Sequence, residues 1–93
     1  MTDEQINKII SPLLHKRFKS AGFRHVTVKT EEDFDGSSIL RVTAHFKKSN
    51  VNSDELIDAL HQIRSTLLLN GEERFVFLNA SSPQDDVVEE DVR

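Results

Sequence analysis

The sequence predicts a small α+β domain with the element order helix, strand, strand, helix, strand. Two segments carry apolar side chains at the three-to-four-residue spacing of a helix, and three have the alternation or the apolar run of a strand. A turn signal separates the first two strands, so we expect them to pair antiparallel. A helix separates the second strand from the third, and such a crossover joins parallel strands. We therefore expect a three-stranded mixed sheet, order 1-2-3, with two helices on one face.

Thr2 is expected to cap the first helix, because Gln5 stands at the reciprocal position of a capping box. The apolar stripe of this helix consists of Ile6, Ile9, Ile10, Leu13, Leu14 and Phe18. Pro12 lies within the stripe, and since proline lacks a backbone N–H donor, we expect a kink or a restart there. Gly22 is the expected terminator.

Residues 23–30 and 38–47 alternate between apolar and polar side chains, which is typical of half-buried strands. In the first strand, one face holds Val26, Val28 and Thr30, and the other holds His25, Thr27 and Lys29. In the second strand, one face holds Leu40, Val42, Ala44 and Phe46, and the other holds Ile39, Arg41, Thr43, His45 and Lys47. Asp35-Gly36, between the two strands, is a strong hairpin signal.

The second helix is predicted to begin after an Asn52 or Ser53 cap and to end at Asn70. Its apolar stripe consists of Leu56, Leu60, Ile63 and Leu67, widened by Ile57 and Leu68. The third strand is predicted to run from Arg74 to Asn79. Its four consecutive apolar residues indicate either that both of its faces are covered or that one face is unusually apolar.

Residues 1–80 are predicted to form one domain, followed by an acidic tail of residues 81–93. The tail carries a net charge of −4, which equals that of the whole chain, so residues 1–80 are neutral with 11 basic and 11 acidic side chains. Because the tail lacks a periodic apolar face, we expect it to be disordered. The acidic balance therefore describes the tail more than the folded surface, and it does not by itself argue against nucleic acid.

The composition excludes several kinds of chemistry. Without cysteine, the chain has no disulfide, thiolate nucleophile or Cys-ligated metal. Its three glycines form no phosphate-binding loop, its four histidines lack zinc-site spacing, and no nucleophile elbow occurs. The apolar runs, such as residues 67–69, are far too short for a membrane span, and no signal peptide is evident. We therefore predict a cytoplasmic, non-enzymatic protein with no cofactor, no metal and no evident small-molecule substrate.

The hairpin segment is acidic and contains Asp33 and Asp35, whose carboxylates are ligands of the kind that Ca²⁺ and Mg²⁺ prefer. An EF-hand loop beginning at Asp33 needs glycine at its sixth position and glutamate at its twelfth, where Ser38 and Ala44 stand. We interpret the segment as a solvated hairpin turn, and the alternative interpretation is a partner-recognition loop.

The sheet face opposite the helices is the predicted interaction surface. Its candidate residues are Lys29, Arg41, His45, Lys47, Phe75 and Phe77, with Val76 and Leu78 as the alternative outward pair of the third strand. Such a face can be simply solvated, can bind a protein partner or a second copy, or can bind single-stranded RNA by stacking beside basic residues. We favour a protein partner or homodimer over RNA, because residues 1–80 carry no net positive charge.

Two resemblances accompany these patterns. The element order resembles that of type II K-homology domains, including ribosome-binding factor A, over about residues 3–80. This implies a small RNA-binding or ribosome-associated domain, although the Gly-x-x-Gly loop with which that family holds RNA does not occur here. Residues 33–36, Asp-Phe-Asp-Gly, and residues 71–75, Gly-Glu-Glu-Arg-Phe, resemble segments of small bacterial proteins of unknown activity. This second resemblance implies a bacterial, cytoplasmic protein and supplies no active site.

Overall fold

A computed structural model describes residues 1–48 and 51–82 of the 93-residue chain. Its helices and strands are α1 (Asp3–Arg17), β1 (Phe23–Glu32), β2 (Ser38–Phe46), α2 (Ser53–Leu69) and β3 (Phe75–Ser81), with a single 3₁₀ turn at Lys19–Ala21. β1 pairs antiparallel with β2, and β3 pairs parallel with β2, in the sheet order β1-β2-β3. The predicted α+β fold, with its element order and strand order, is confirmed.

Both helices pack against the same face of the sheet. The core they form with the strands consists of Ile6, Ile10, Leu14 and Phe18, of Ala59, Ile63 and Leu67, and of the strand residues Val26, Val28, Leu40, Val42, Ala44, Phe46 and Val76. Burying one such large aliphatic or aromatic side chain contributes about 1.5–3 kcal/mol. Among the described residues, neither helix is long and apolar enough to cross a bilayer.

Three of the four helix boundaries follow local sequence signals closely. The exception is the end of α1, which lies at Arg17, because Gly22, the expected terminator, ends the following 3₁₀ turn instead. Thr2 and Gln5 form the predicted reciprocal capping box, and Asn52 caps α2 by accepting the backbone N–H of Asp54 at 2.7 Å. α1 continues through Pro12, so the predicted restart does not occur. Pro12 lacks the N–H that would donate to the carbonyl one turn earlier. Because Pro12 is exposed, water can hydrate that carbonyl instead.

The apolar stripe of α2 differs from the prediction in its edges. Ile57 and Leu68, which were expected to widen it, are exposed, and Ala59 lies in the core. A stripe wider than about 100° cannot wholly face one flat sheet, so residues at its margins turn to solvent. The spacing of apolar residues along the sequence does not show which margin of the stripe will be exposed.

Two strands run beyond their predicted ends. β1 continues through Glu32, which places Glu31 in the ladder opposite Ile39. β3 continues through Ser81, opposite His45, and Ser82 is buried, so the predicted disordered tail does not begin at residue 81. Backbone pairing with β2 orders these residues although their own side chains are polar. Residues 83–93, which make up the rest of the predicted tail, lie outside the described residues.

A buried ion pair joins the start of β3 to the beginning of the chain. The carboxylate of Glu72 accepts hydrogen bonds from Nε and Nη2 of Arg74, each at 2.9 Å. Arg74 also donates from Nη1 to the hydroxyl of Thr30, which in turn donates to Asp3. Hydrogen bonding to the Arg74 guanidinium lowers the pKa of Glu72 to about 2. The network therefore links β3, β1 and α1 around one buried charge.

Candidate functional site: the open sheet face

The face of the sheet that no described helix covers is the candidate site, and we call it the open face. Strand alternation sets its side chains opposite the core residues of the same strands. They are His25, Thr27, Lys29 and Glu31 of β1, Ile39, Arg41, Thr43 and His45 of β2, and Phe75, Phe77, Asn79 and Ser81 of β3.

The structure decides which pair of β3 residues faces outward. Val76 is buried in the core and Leu78 packs against it, so both point toward the helices. Phe75 and Phe77 lie on the open face with 46% and 41% of their surface exposed. Of the two alternatives predicted for β3, the phenylalanine pair is the outward one. β3 is therefore apolar on both faces, although only one of them is covered.

The two phenylalanines form an apolar cluster at the hairpin end of the open face. Their rings meet edge to face with centroids 4.8 Å apart. Ile39 pairs with Phe75 in the ladder and is only 7% exposed, although it does not belong to the core between sheet and helices. The open face thus carries a small second apolar cluster, separate from the core between sheet and helices.

Arginines lie over both rings of this cluster. The guanidinium carbon of Arg41 is 5.6 Å from the centroid of Phe77, and that of Arg64, from α2, is 4.6 Å from the centroid of Phe75. Both distances fall within the range of cation–π attraction. We call Ile39, Phe75, Phe77, Arg41 and Arg64 together the aromatic patch. Sequence alternation indicated four of these positions but not Arg64, because a helix residue reaches a strand residue only through the tertiary fold.

The cations of the open face lie next to the aromatic patch. Lys29, Arg41 and Phe77 follow one another across the three strands in register. Arg41 is also paired with Glu31, with Nε and Oε1 2.9 Å apart, whereas Lys29 has no ion-pair partner within the described part of the chain. A shallow depression of about 260 Å³ beside this row is lined by Thr27, Lys29, Glu31, Arg41, Thr43 and His45. The sequence prediction missed Glu31, because it ended the first strand at residue 30.

Two histidines occupy the other end of the open face. His25 and His45 are partners in the ladder, and their rings stack with centroids 4.3 Å apart and planes 13° from parallel. Nε2 of His45 lies 2.9 Å from the hydroxyl of Thr27. Residues 1–48 and 51–82 contain no group of three or more His, Asp or Glu side chains placed to hold a metal ion.

The six predicted site residues therefore separate into two groups. Lys29, Arg41, Phe75 and Phe77 lie together at the hairpin end. His45 lies at the opposite end of the open face, and Lys47 follows the last residue of β2, where its backbone N–H donates to the Gly22 carbonyl. The first group can bind apolar and anionic groups side by side, because it combines exposed rings with cations.

The described fold has a counterpart among solved structures. A chain of a candidate zinc transporter, CzrB, whose mode of action that structure addresses, superimposes with a TM-score of 0.52 over 88% of this chain and 96% of that chain. Only 13% of the aligned residues are identical, so the likeness is one of fold alone. No protein-family model matches the chain, and no curated protein matches it. The resemblances to K-homology domains and to small bacterial proteins therefore stay predictions.

Proposed function

We propose that this protein is a non-enzymatic interaction module that binds another protein chain through the aromatic patch on its open face. The observation that carries the proposal is the half-exposed pair Phe75 and Phe77, which lies beside arginines on a sheet face that no described helix covers. Phenylalanine and arginine are among the residues enriched in the centres of protein interfaces, whereas lone exposed apolar residues occur on any surface.

The exposed apolar area is large enough to contribute to binding. If a phenylalanine side chain offers about 200 Å², the exposed parts of the two rings amount to about 90 Å² each. Removing that area from water contributes about 2 kcal/mol per ring. The flanking arginines are already held near the rings, so little side-chain entropy remains to be lost when a partner covers them.

Affinity capture from the native host, with and without nuclease, tests the proposal. The comparison uses the wild type, Phe77→Asp and a matched control, Leu69→Asp, which places the same charge at an exposed apolar residue at the end of α2. We expect partners that resist nuclease, bind the control as well as the wild type, and are lost with Phe77→Asp. Equal capture by Phe77→Asp and the wild type would contradict a role for the aromatic patch.

RNA binding is the second candidate function, and one observation favours it. The row of Lys29, Arg41 and Phe77 sets two cations beside an exposed ring, which is an arrangement suited to a phosphate and a stacked base. The edge-to-face contact of Phe75 and Phe77 weighs against it, since the two rings form no common stacking plane. In RNA titrations at two salt concentrations, Arg41→Ala and Lys29→Ala should then weaken binding, and affinity should fall steeply with salt. Binding that does not change with salt would exclude this candidate.

We also propose that the module acts in the bacterial cytoplasm. The support is the resemblance of residues 33–36 and 71–75 to segments of small bacterial proteins, together with the absence of cysteine from the chain. Fractionation of the native host with an antibody against the protein tests this placement, and recovery with the periplasmic or membrane fraction would contradict it.

A further inference from the structure

We infer that the partner of the aromatic patch is a second copy of this chain, and that the hairpin tip of each copy covers the aromatic patch of the other. By hairpin tip we mean residues 33–37, which join β1 to β2. The inference rests on the proposed function, because it names the occupant of the same surface. It is carried by three features of the described residues: an exposed ring at the tip, its charge pattern, and its position relative to the patch.

The hairpin tip is an ordered, acidic turn with an aromatic residue at its apex. The backbone N–H of Asp33 donates to the Ser37 carbonyl at 2.8 Å, and that of Gly36 donates to the Asp33 carbonyl at 2.9 Å. Gly36 has a φ of 90°, a conformation that favours glycine. These constraints leave the ring of Phe34 fully exposed, without any contact to its own core. The hydrogen-bonded tip thus presents a fully exposed apolar side chain to solvent.

The charges of the tip complement those of the aromatic patch. Phe34 stands between Asp33 and Asp35, and neither carboxylate has an ion-pair partner among the described residues. In the patch, each phenylalanine ring has an arginine over it, Arg41 over Phe77 and Arg64 over Phe75. An aromatic ring flanked by two anions therefore matches aromatic rings that two cations contact. Complementary charges around an apolar centre fix the register of an interface and disfavour other partners.

The positions of the tip and the patch allow both contacts to form at once. The tip joins the strand ends that carry Glu31 and Ile39, and Ile39 is the ladder partner of Phe75. Tip and patch therefore lie at the same end of the sheet. Two copies related by a twofold axis at that end, with their open faces toward each other, exchange tips reciprocally. Such isologous contact closes at two subunits, because each copy's tip and patch are both used.

The area involved indicates a weak dimer. One tip phenylalanine and the exposed parts of the two patch rings amount to roughly 380 Å² of apolar surface per copy. For the two copies together this is about 760 Å², which lies below the roughly 1,200 Å² of total buried surface at which stable interfaces begin. We therefore expect dissociation in the micromolar range or weaker, at concentrations of about 10 μM to about 1 mM.

Sedimentation equilibrium of the full chain, over that concentration range, tests the inference. The wild type should pass from the mass of one chain toward the mass of two. Phe34→Ser should weaken association about tenfold or more, as truncation at an interface hot spot does. The matched control is Leu69→Ser, which removes an equally apolar and largely exposed residue of α2, and it should associate like the wild type. A wild type that stays monomeric, or a Phe34→Ser variant that associates normally, would overturn the inference.

A charge exchange between tip and patch tests the reciprocal geometry. One variant carries Asp33→Lys with Asp35→Lys, and the other carries Arg41→Glu with Arg64→Glu. Each variant alone should be monomeric, because like charges then meet in both contacts. An equimolar mixture should form a heterodimer, since the basic tip meets the acidic patch and the unchanged tip meets the unchanged patch. Recovery of the dimer on mixing also shows that both variants are folded, and failure to recover it contradicts the pairing.

The experiments distinguish a failure of the self-association inference from a failure of the proposed function. If the wild type is monomeric while Phe77→Asp loses a nuclease-resistant partner, the patch binds a different protein and only the self-association is wrong. If Phe77→Asp leaves both self-association and capture unchanged, the aromatic patch has no role in binding and both proposals are wrong.

Discussion

Replacing Glu72 by glutamine removes the buried charge that Arg74 holds at the start of β3, and the cost should depend on pH. Glu72 is among the few buried polar residues of the described chain, and its oxygens accept three hydrogen bonds from Arg74. Arg74 in turn reaches Thr30, and through it Asp3. The change Glu72→Gln keeps the size and part of the hydrogen bonding, but it leaves the guanidinium without its anion.

The magnitude follows from the pKa of Glu72. Lowering the pKa of the folded state from 4.5 to about 2 corresponds to about 3 kcal/mol of stability. Because the unfolded state binds the proton more tightly, this contribution is complete above about pH 5 and is lost as the pH falls toward 2. Glutamine still accepts one hydrogen bond, so we expect Glu72→Gln to lower the free energy of unfolding by about 1–3 kcal/mol at neutral pH.

Urea unfolding followed by circular dichroism, at several values between about pH 7 and about pH 2.5, measures this difference. The gap between the wild type and Glu72→Gln should shrink as the pH falls, whereas other carboxylates titrate equally in both proteins and cancel. Glu73→Gln is the matched control, because Glu73 is the exposed neighbour and forms no ion pair within residues 1–48 and 51–82. A gap that stays constant with pH, or an equal loss in the control, would refute the reasoning.

Three further predictions concern stability and use the same unfolding assay. Ile63→Ala should cost about 2–5 kcal/mol, because Ile63 is fully buried between α2 and the sheet, and a loss below about 0.5 kcal/mol would contradict that packing. Asn52→Ala should cost about 1 kcal/mol through the lost α2 cap, and an unchanged midpoint would contradict the cap's contribution. Gly22→Ala should cost about 1–2 kcal/mol, since Gly22 has a φ of 78° and a Cβ there would lie 3.2 Å from that of Lys47. Equal or greater stability of that variant would show that the turn relaxes.

The hairpin end of the candidate site was partly predictable. Period-two alternation set Lys29 and Arg41 opposite the valines of their strands, and the structure places both on the open face. The same rule left two choices for β3, because a run of four apolar residues has no polar side to mark the solvent. Packing against the helices decided between the two choices: Val76 is buried beneath the helices, and Phe75 and Phe77 therefore point to the open face.

Other parts of the site depended on contacts between distant segments. Arg64 reaches Phe75 from α2, and Glu31 joins the face only because β1 pairs with β2 beyond its predicted end. His45 and Lys47 were predicted as members of one surface with the phenylalanines, but the length of the sheet separates His45 from them and β2 ends before Lys47. Alternation reports the face of a residue and not its place along or beyond the strand.

The sequence by itself determined the class of fold, the order of the elements, the start of both helices and the end of α2. These properties depend on local physics: side-chain periodicity, a capping box at Thr2 and Gln5, an Asn52 cap, and a turn at Asp35-Gly36. Only the tertiary structure decided which phenylalanines are exposed, which arginines lie over them, and that Glu72 and Arg74 form a buried pair. The exposure of the phenylalanines and the arginine contacts depend on segments far apart in the chain, whereas Glu72 and Arg74 are close in sequence and only their burial depends on the packing of the sheet and helices.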